Sequence, residues 1–344
     1  MKPLHLAWGF IAAAALPLHA QTNTVTTDPV GYITLPIAGT ASGNNPAYTF
    51  LGLSMIEQVA YQGALTAVGT ASLTDTNATW VDGQFDGTNG TFTVEVASTN
   101  GGGYRSTITN TVASTDTLQI LDDLSQVAAA GQSYRIFKDW TLTSVFGASN
   151  SSGLAGGSAT TADQVQVWNG IGYDSYYYQT LGLGGVGWRR AGAPFQDEAN
   201  QPLFMEQGLL IRRLASAPTN LVLVGAVKVT PTVVPVETNW NFVANPYPVE
   251  MTLTSSQLYV ADPTNGVSGG SATTADQVML WHGSGFNTFY YQTSGLGGTG
   301  WRKAGAPFVD ASTNTIPGGA CFIVKRLFAA PFNWSAPKHP VVQD

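Results

Sequence analysis

The sequence predicts an all-β protein built from two homologous β-sandwich or barrel-like modules, the first carrying a small inserted β-domain. Three observations carry that expectation. Short alternating or wholly apolar runs recur between Gly, Pro, Asn-Gly and Asp-Gly turns, and no stretch sustains a 3.6-residue period. Only 10% of residues are charged, against about 25% in ordinary soluble domains, while 39 of 344 are glycine. One block occurs twice: residues 156–195 align without a gap on 269–308, with 29 of 40 positions identical.

In chain order, residues 1–20 read as a signal peptide. Lys2 supplies the positive start, residues 6–16 are apolar but too short to span a bilayer, and Ala20 precedes a cleavage point at Gln21. Residues 21–62 and 139–214 form the first module, and residues 63–138 the insertion. Residues 215–330 form the second module, and 331–344 a tail with no hydrophobic anchor. Beyond the block the repeat continues weakly. Val30-Gly31-Tyr32-Ile33 resembles Val224-Gly225-Ala226-Val227, and Phe50-Leu51-Gly52-Leu53 resembles Phe242-Val243-Ala244-Asn245. Thr141-Leu142-Thr143 resembles Thr252-Leu253-Thr254. Within the insertion, Phe92, Val94 and Val96 alternate with Thr93 and Glu95, which places the apolar set on one face. Residues 141–146 and 124–130 have room for a helical turn or two.

Cleavage leaves 13 basic against 21 acidic residues, a net charge of −8. That balance lacks the basic footprint of a nucleic-acid binder and disfavours anionic lipid. Cys321 is the single cysteine, so no intrachain disulfide forms, and its apolar neighbours predict a buried thiol in a strand.

Several motifs resemble chemical sites. Gly182–Gly187 and Gly295–Gly300 each fit G-x-G-x-x-G, yet no helix pattern follows, so turns are expected rather than a dinucleotide cradle. Ser268 sits in G-x-S-x-G, but its counterpart is Ala155 and only His282 and His339 remain after cleavage. A Ser-His-Asp triad or a zinc site would need more histidines. Asp163 with Asp276, or Asp197 with Asp310, would serve a glycosidase only if two carboxylates met in one cleft. The simpler expectation is that Asp163 and Asp276 cap turns. Asp75, Asp82, Asp86, Asp122 and Asp123 lack EF-hand spacing. No catalytic residue, cofactor or metal is assigned.

The aromatic constellation is the leading candidate for a ligand or partner surface. Trp168, Tyr177, Gln179, Trp188 and Arg189 recur as Trp281, Tyr290, Gln292, Trp301 and Arg302. Exposed rings would stack on sugars while Arg and Gln bonded hydroxyls; the competing expectation is core packing. Tyr177 and Tyr290 must face away from their strand neighbours. After the block, the next nineteen positions share only three identities. A repeated interface or binding surface would hold the block while its neighbour drifts, and local gene conversion would do the same.

At Asp28-Pro29-Val30-Gly31-Tyr32, residues 141–147, Ala162-Asp163-Gln164-Val165, the triple-tyrosine strand and residues 322–326, the chain resembles uncharacterised exported repeat proteins of Verrucomicrobia and related bacteria. Asn245-Pro246-Tyr247-Pro248 is similar to a motif in secreted surface proteins of other Gram-negative bacteria. The resemblance implies export and modular β-structure, with no transferable activity. Three functions follow as expectations: a non-enzymatic structural or adhesive protein of the envelope or extracellular space, a carbohydrate-binding protein, or a glycosidase. The expected partners are glycan or other envelope proteins, and the expected location is periplasm, cell surface or medium.

Overall fold

A computed structural model describes residues 29–41, 45–88, 90–97 and 102–338 of the chain. The expected signal peptide therefore lies outside the described residues. Strand makes up 47% and helix 3%, so the protein is all-β. Helical structure among the described residues is confined to a 3-10 turn at Ala113–Thr115 and one α-helix, Leu142–Phe146. Thr141 and Ser144 close a capping box at its start. Residues 124–130, which have room for a helical turn, form non-helical turns. No helix among the described residues is long and apolar enough to cross a membrane.

Two antiparallel sheets follow the same strand order. The first runs Gly187–Arg190, Tyr173–Gln179, Gln164–Trp168, Gly208–Arg213, Ala47–Gly52. The second runs Ala306–Asp310, Gly300–Lys303, Phe286–Gln292, Gln277–Trp281, Cys321–Arg326, Asn239–Ala244. Each sheet packs against a two-stranded ribbon. Val30–Ile37 pairs with Thr219–Ala226 over the first, and Thr232–Val236 with Phe332–Ala336 over the second. Alternation drives that packing. Leu35, Ile37, Leu221 and Leu223 point into one core with Leu209, Ile211 and Trp188. Val234, Val236, Phe332 and Trp334 point into another with Phe322, Val324 and Trp301.

These pairings move two expected boundaries. Thr219–Ala226 completes the first sandwich and does not open the second. Val30–Ile33 and Val224–Val227 look alike because both are strand, but Tyr32 faces Val224 across one ribbon, so they are partners and not counterparts. Phe332–Ala336, expected in the tail, is the closing strand of the second sandwich, with Trp334 fully buried.

The inserted sheet begins at Val59. Its order is Val59–Ala64, Ser133–Lys138, Phe92–Ala97, Gly103–Val112, Thr117–Ile120, Ser72–Thr74, Ala67–Gly69, over a separate core containing Leu73, Val94, Val96, Tyr134 and Ile136. Glu95 alternates with Val94 and Val96 along its strand and is also covered. It is buried beside Lys228 Nζ at 2.9 Å, in the segment joining the two sandwiches. Arg105 reaches Glu95 and also Glu206 of the first sandwich, at 2.8 Å. A buried ionic cluster thus docks the insertion. Lys228, Arg105 and Arg135 outweigh the burial that opposes the Glu95 charge and hold its carboxyl below the ordinary range. Burial pushes the Lys228 ammonium down to about 8 despite Glu95.

The two sandwiches meet through reciprocal contacts. Leu51 bridges to Ala320, and Val243 bridges to Gln207. Phe50 packs on Trp281 and Phe286, at 5.2 and 5.1 Å between ring centroids. Phe242 packs on Trp168 and Tyr173, at 5.1 and 5.2 Å. Phe50 and Phe242 lie nearly parallel between the two sets. Gly208 allows this approach, because a Cβ there would overlap the Cys321 sulfur. Cys321 is buried, as expected, and burial pushes its thiol up.

Candidate functional site

The residues expected to form an open surface are mostly interior. Trp188 and Trp301 are 1% and 3% exposed and belong to the two cores. Trp168 and Trp281 are half-buried where the sandwiches meet. Tyr177, Gln179, Arg189, Tyr290, Gln292 and Arg302 are all buried. Tyr177 does face away from the core, as alternation requires, but the chain folds back over that face. Strand periodicity reports a side chain's face and not what covers it.

The covering segment is the glycine-rich loop between Tyr173–Gln179 and Gly187–Arg190. Tyr177 donates its hydroxyl to Gln179 Oε1 at 3.2 Å. Gln179 Nε2 donates to the carbonyls of Leu183 and Gly185, at 3.2 and 2.8 Å. Arg189 donates to the Gly184 carbonyl at 2.6 Å, to the Trp188 carbonyl at 2.9 Å and to Asp197 at 3.2 Å. The second copy repeats this. Tyr290 donates to Gln292, Gln292 to the Leu296 and Gly298 carbonyls, and Arg302 to the Gly297 and Trp301 carbonyls. Gly184, at φ +104°, sits so close to the Pro194 carbonyl that a Cβ would collide with it. The loop joins two antiparallel strands and leads into no helix, so it is a turn and not a dinucleotide fingerprint.

This scaffold displays apolar side chains. Leu181 and Leu183 are 84% and 81% exposed, and Val186 and Phe195 are exposed beside them. In the second copy Leu296 is 82% exposed, with Phe308 and Val309 also exposed. Ser294 and Thr299 replace Leu181 and Val186 there, so the first loop is the more apolar.

The acidic candidates are structural partners. Asp163 Oδ2 accepts from Ala155 N at 2.7 Å and from Arg213 Nη1 at 2.9 Å, and Oδ1 accepts from Leu214 N at 2.6 Å. Asp276 is bonded in the same way to Ser268 N, Arg326 and Leu327 N. Each carboxylate is buried in its own sandwich with its acceptor sites occupied. Turn capping was expected; the buried arginine partner was not. Asp197 and Asp310 lie at the surface beside Arg189 and Arg302. Asp75, Asp82, Asp86, Asp122 and Asp123 each accept a nearby N–H or hydroxyl. Among the described residues, no three His, Cys, Asp or Glu side chains gather as a metal site.

The block's other polar residues also bond within the fold. Thr161 Oγ1 accepts from Ser158 N, and Gln164 donates to the Ala159 carbonyl at 2.6 Å, with Thr274 and Gln277 doing the same in the second copy. Sequence reasoning missed the contact residues Phe50, Tyr173, Phe242 and Phe286. The available signal was that their aromatic character recurs at corresponding strand positions. No protein-family model, curated protein or solved structure matches the chain.

Proposed function

We propose that the chain is a non-enzymatic structural or adhesive β-protein of the cell envelope or extracellular space, whose duplicated glycine-rich loops hold apolar side chains against a partner. The supporting observation is the loop construction. Four buried side chains, Gln179, Arg189, Gln292 and Arg302, fix loop carbonyls, while Leu181, Leu183 and Leu296 project into water. Apolar groups kept exposed on a rigid mount mark an interaction surface. The burial of Trp188 and Trp301 speaks against sugar stacking at those rings, and the occupied carboxylates of Asp163 and Asp276 speak against a glycosidase built on them.

Combined Leu181→Ser, Leu183→Ser and Leu296→Ser substitutions test the reading. Retention of the chain in envelope or extracellular-matrix fractions should fall while its unfolding temperature holds. Unchanged retention, or turnover of a small substrate by the purified chain, would sink the proposal.

A further inference from the structure

Each glycine-rich loop has its backbone acceptors satisfied and its backbone donors open. In the first, the Gly182 carbonyl accepts from the Gly185 amide at 3.3 Å, the Leu183 and Gly185 carbonyls accept from Gln179, and the Gly184 carbonyl accepts from Arg189. In the second, the Gly295 carbonyl accepts from the Gly298 amide at 3.2 Å, those of Leu296 and Gly298 from Gln292, and that of Gly297 from Arg302. The amides of residues 181–184 and 294–297 donate to no group among the described residues. In water the difference has no consequence, because water donates and accepts alike. Beneath a surface that lacks one of the two, it decides whether the loop is covered without leaving a polar group unpaired.

The side chains narrow the choice of surface. Leu181, Leu183 and Leu296 stand almost wholly in solvent. Phe195 adjoins the first loop, since a Cβ on Gly184 would lie 3.3 Å from its Cα, and Phe308 adjoins the second, 3.4 Å from a Cβ on Gly297. No charged residue occurs within 180–188, 191–196, 293–301 or 304–309. Leucines this far from their neighbours need a socket apiece in a rigid partner, whereas acyl chains close around them. A choline-headed glycerophospholipid supplies acyl chains, phosphate and ester oxygens that accept, and no hydrogen-bond donor. A protein edge or a glycan presents donors as well, and those would find the loop carbonyls already occupied. The acidic balance of the chain gives it no attraction to anionic headgroups. We infer that the two loops insert their leucine side chains into the interface of a zwitterionic glycerophospholipid membrane, where the open amides bond lipid oxygens. The inference rests on the loops being the partner surface proposed above, and it names the partner.

Flotation of the purified exported chain with phosphatidylcholine vesicles tests this. The chain should float with the vesicles. Raising salt from about 0.1 to about 1 M should not weaken the binding, and adding phosphatidylglycerol should not strengthen it. Leu181→Ser, Leu183→Ser and Leu296→Ser together should lower the partition coefficient by about tenfold or more, with the unfolding temperature unchanged. Leu183→Trp keeps the loop apolar and should float as the unaltered chain does. Its added emission should shift to the blue on binding and be quenched by lipid brominated in the acyl chain.

Failure to float, flotation that survives the triple variant, or binding that needs anionic lipid and vanishes at high salt overturns the inference. So does a Leu183→Trp emission that acyl bromines leave unquenched. If the chain fails to float but the triple variant is still lost from envelope fractions, the loops contact a protein or glycan and the broader reading stands. If the chain floats through its leucines yet envelope retention ignores them, the lipid contact stands and the broader reading falls.

Discussion

Two adjoining stretches of each sandwich have diverged very differently. Residues 156–195 and 269–308 are identical at 29 of 40 positions, whereas 196–214 and 309–327 share three of nineteen. In the first stretch, side chains meet single backbone atoms: Gln179 the Leu183 and Gly185 carbonyls, Arg189 the Gly184 carbonyl, Asp163 the Leu214 amide. A donor or acceptor of fixed reach cannot change length without losing its bond. In the second stretch, Leu209 and Ile211 stand where Phe322 and Val324 stand, and apolar volume tolerates such exchanges. The three shared positions are Asp197/Asp310, Arg213/Arg326 and Leu214/Leu327. All three bond to the first stretch, through Arg189/Arg302 and Asp163/Asp276. Sequence identity here follows bonds inside the fold, which removes the need for a ligand to explain it.

The strongest test of that contrast is the buried pair. Arg326→Ala leaves Asp276 charged in an interior that excludes water, at a cost of about 3–5 kcal/mol. Urea unfolding would measure it, and Arg213→Ala should behave alike in the first sandwich. A loss under 1 kcal/mol at either site would mean that the invariant arginines are not what ties the drifting stretch to the fixed one.

A control outside both stretches is one of pH. Asp139 accepts from Thr93 in the buried cluster, facing Arg105, Glu206 and Glu57. Burial pushes its carboxyl from 3.8 up to about 7, opposed by Arg105 and Thr93. Its stabilising contribution is therefore complete below pH 3.8 and is lost as pH rises to about 7. Asp139→Asn should flatten the dependence of unfolding temperature on pH across that window. An unchanged profile would show that the carboxyl titrates normally in the fold.

Loop carbonyls come next. Gln179→Ala should cost about 1–3 kcal/mol by stripping the donor from two carbonyls, and it should raise hydrogen exchange in residues 180–187. Ile211→Val, in the drifting stretch, should cost about 0.5–1.5 kcal/mol by global unfolding with no change in loop exchange. Equal loop exchange in the two variants would erase the distinction between fixed and drifting residues.

Much of this architecture was legible in the sequence. Alternation and turn residues announced strands, and the ungapped block announced matching sheets of Trp, Tyr and Arg positions. The first boundary was misread because antiparallel partners such as Val30–Ile33 and Val224–Val227 share strand composition, and composition does not distinguish a partner from a counterpart. The candidate surface was misread for a different reason. The groups that Gln179 and Arg189 bond are backbone carbonyls, which every residue carries, so no side-chain pattern reveals them. Glu95 shows the same limit: Lys228 covers it from 133 residues away.

The smallest effect on stability should come from the outermost residues of the fixed stretch. Leu181, at 84% exposure, fills no core, so Leu181→Ser should shift unfolding by no more than about 0.5 kcal/mol. Its counterpart is already Ser294, and the sandwich there closes with the same strand order. The substitution thus makes the first loop resemble the second without touching Gln179 or Arg189. Envelope retention should fall by more than it does for Thr299→Ala, which trims the less apolar loop. If the two variants retain the chain equally, the extra leucine in the first loop contributes nothing to partner contact, and the loops differ only by drift.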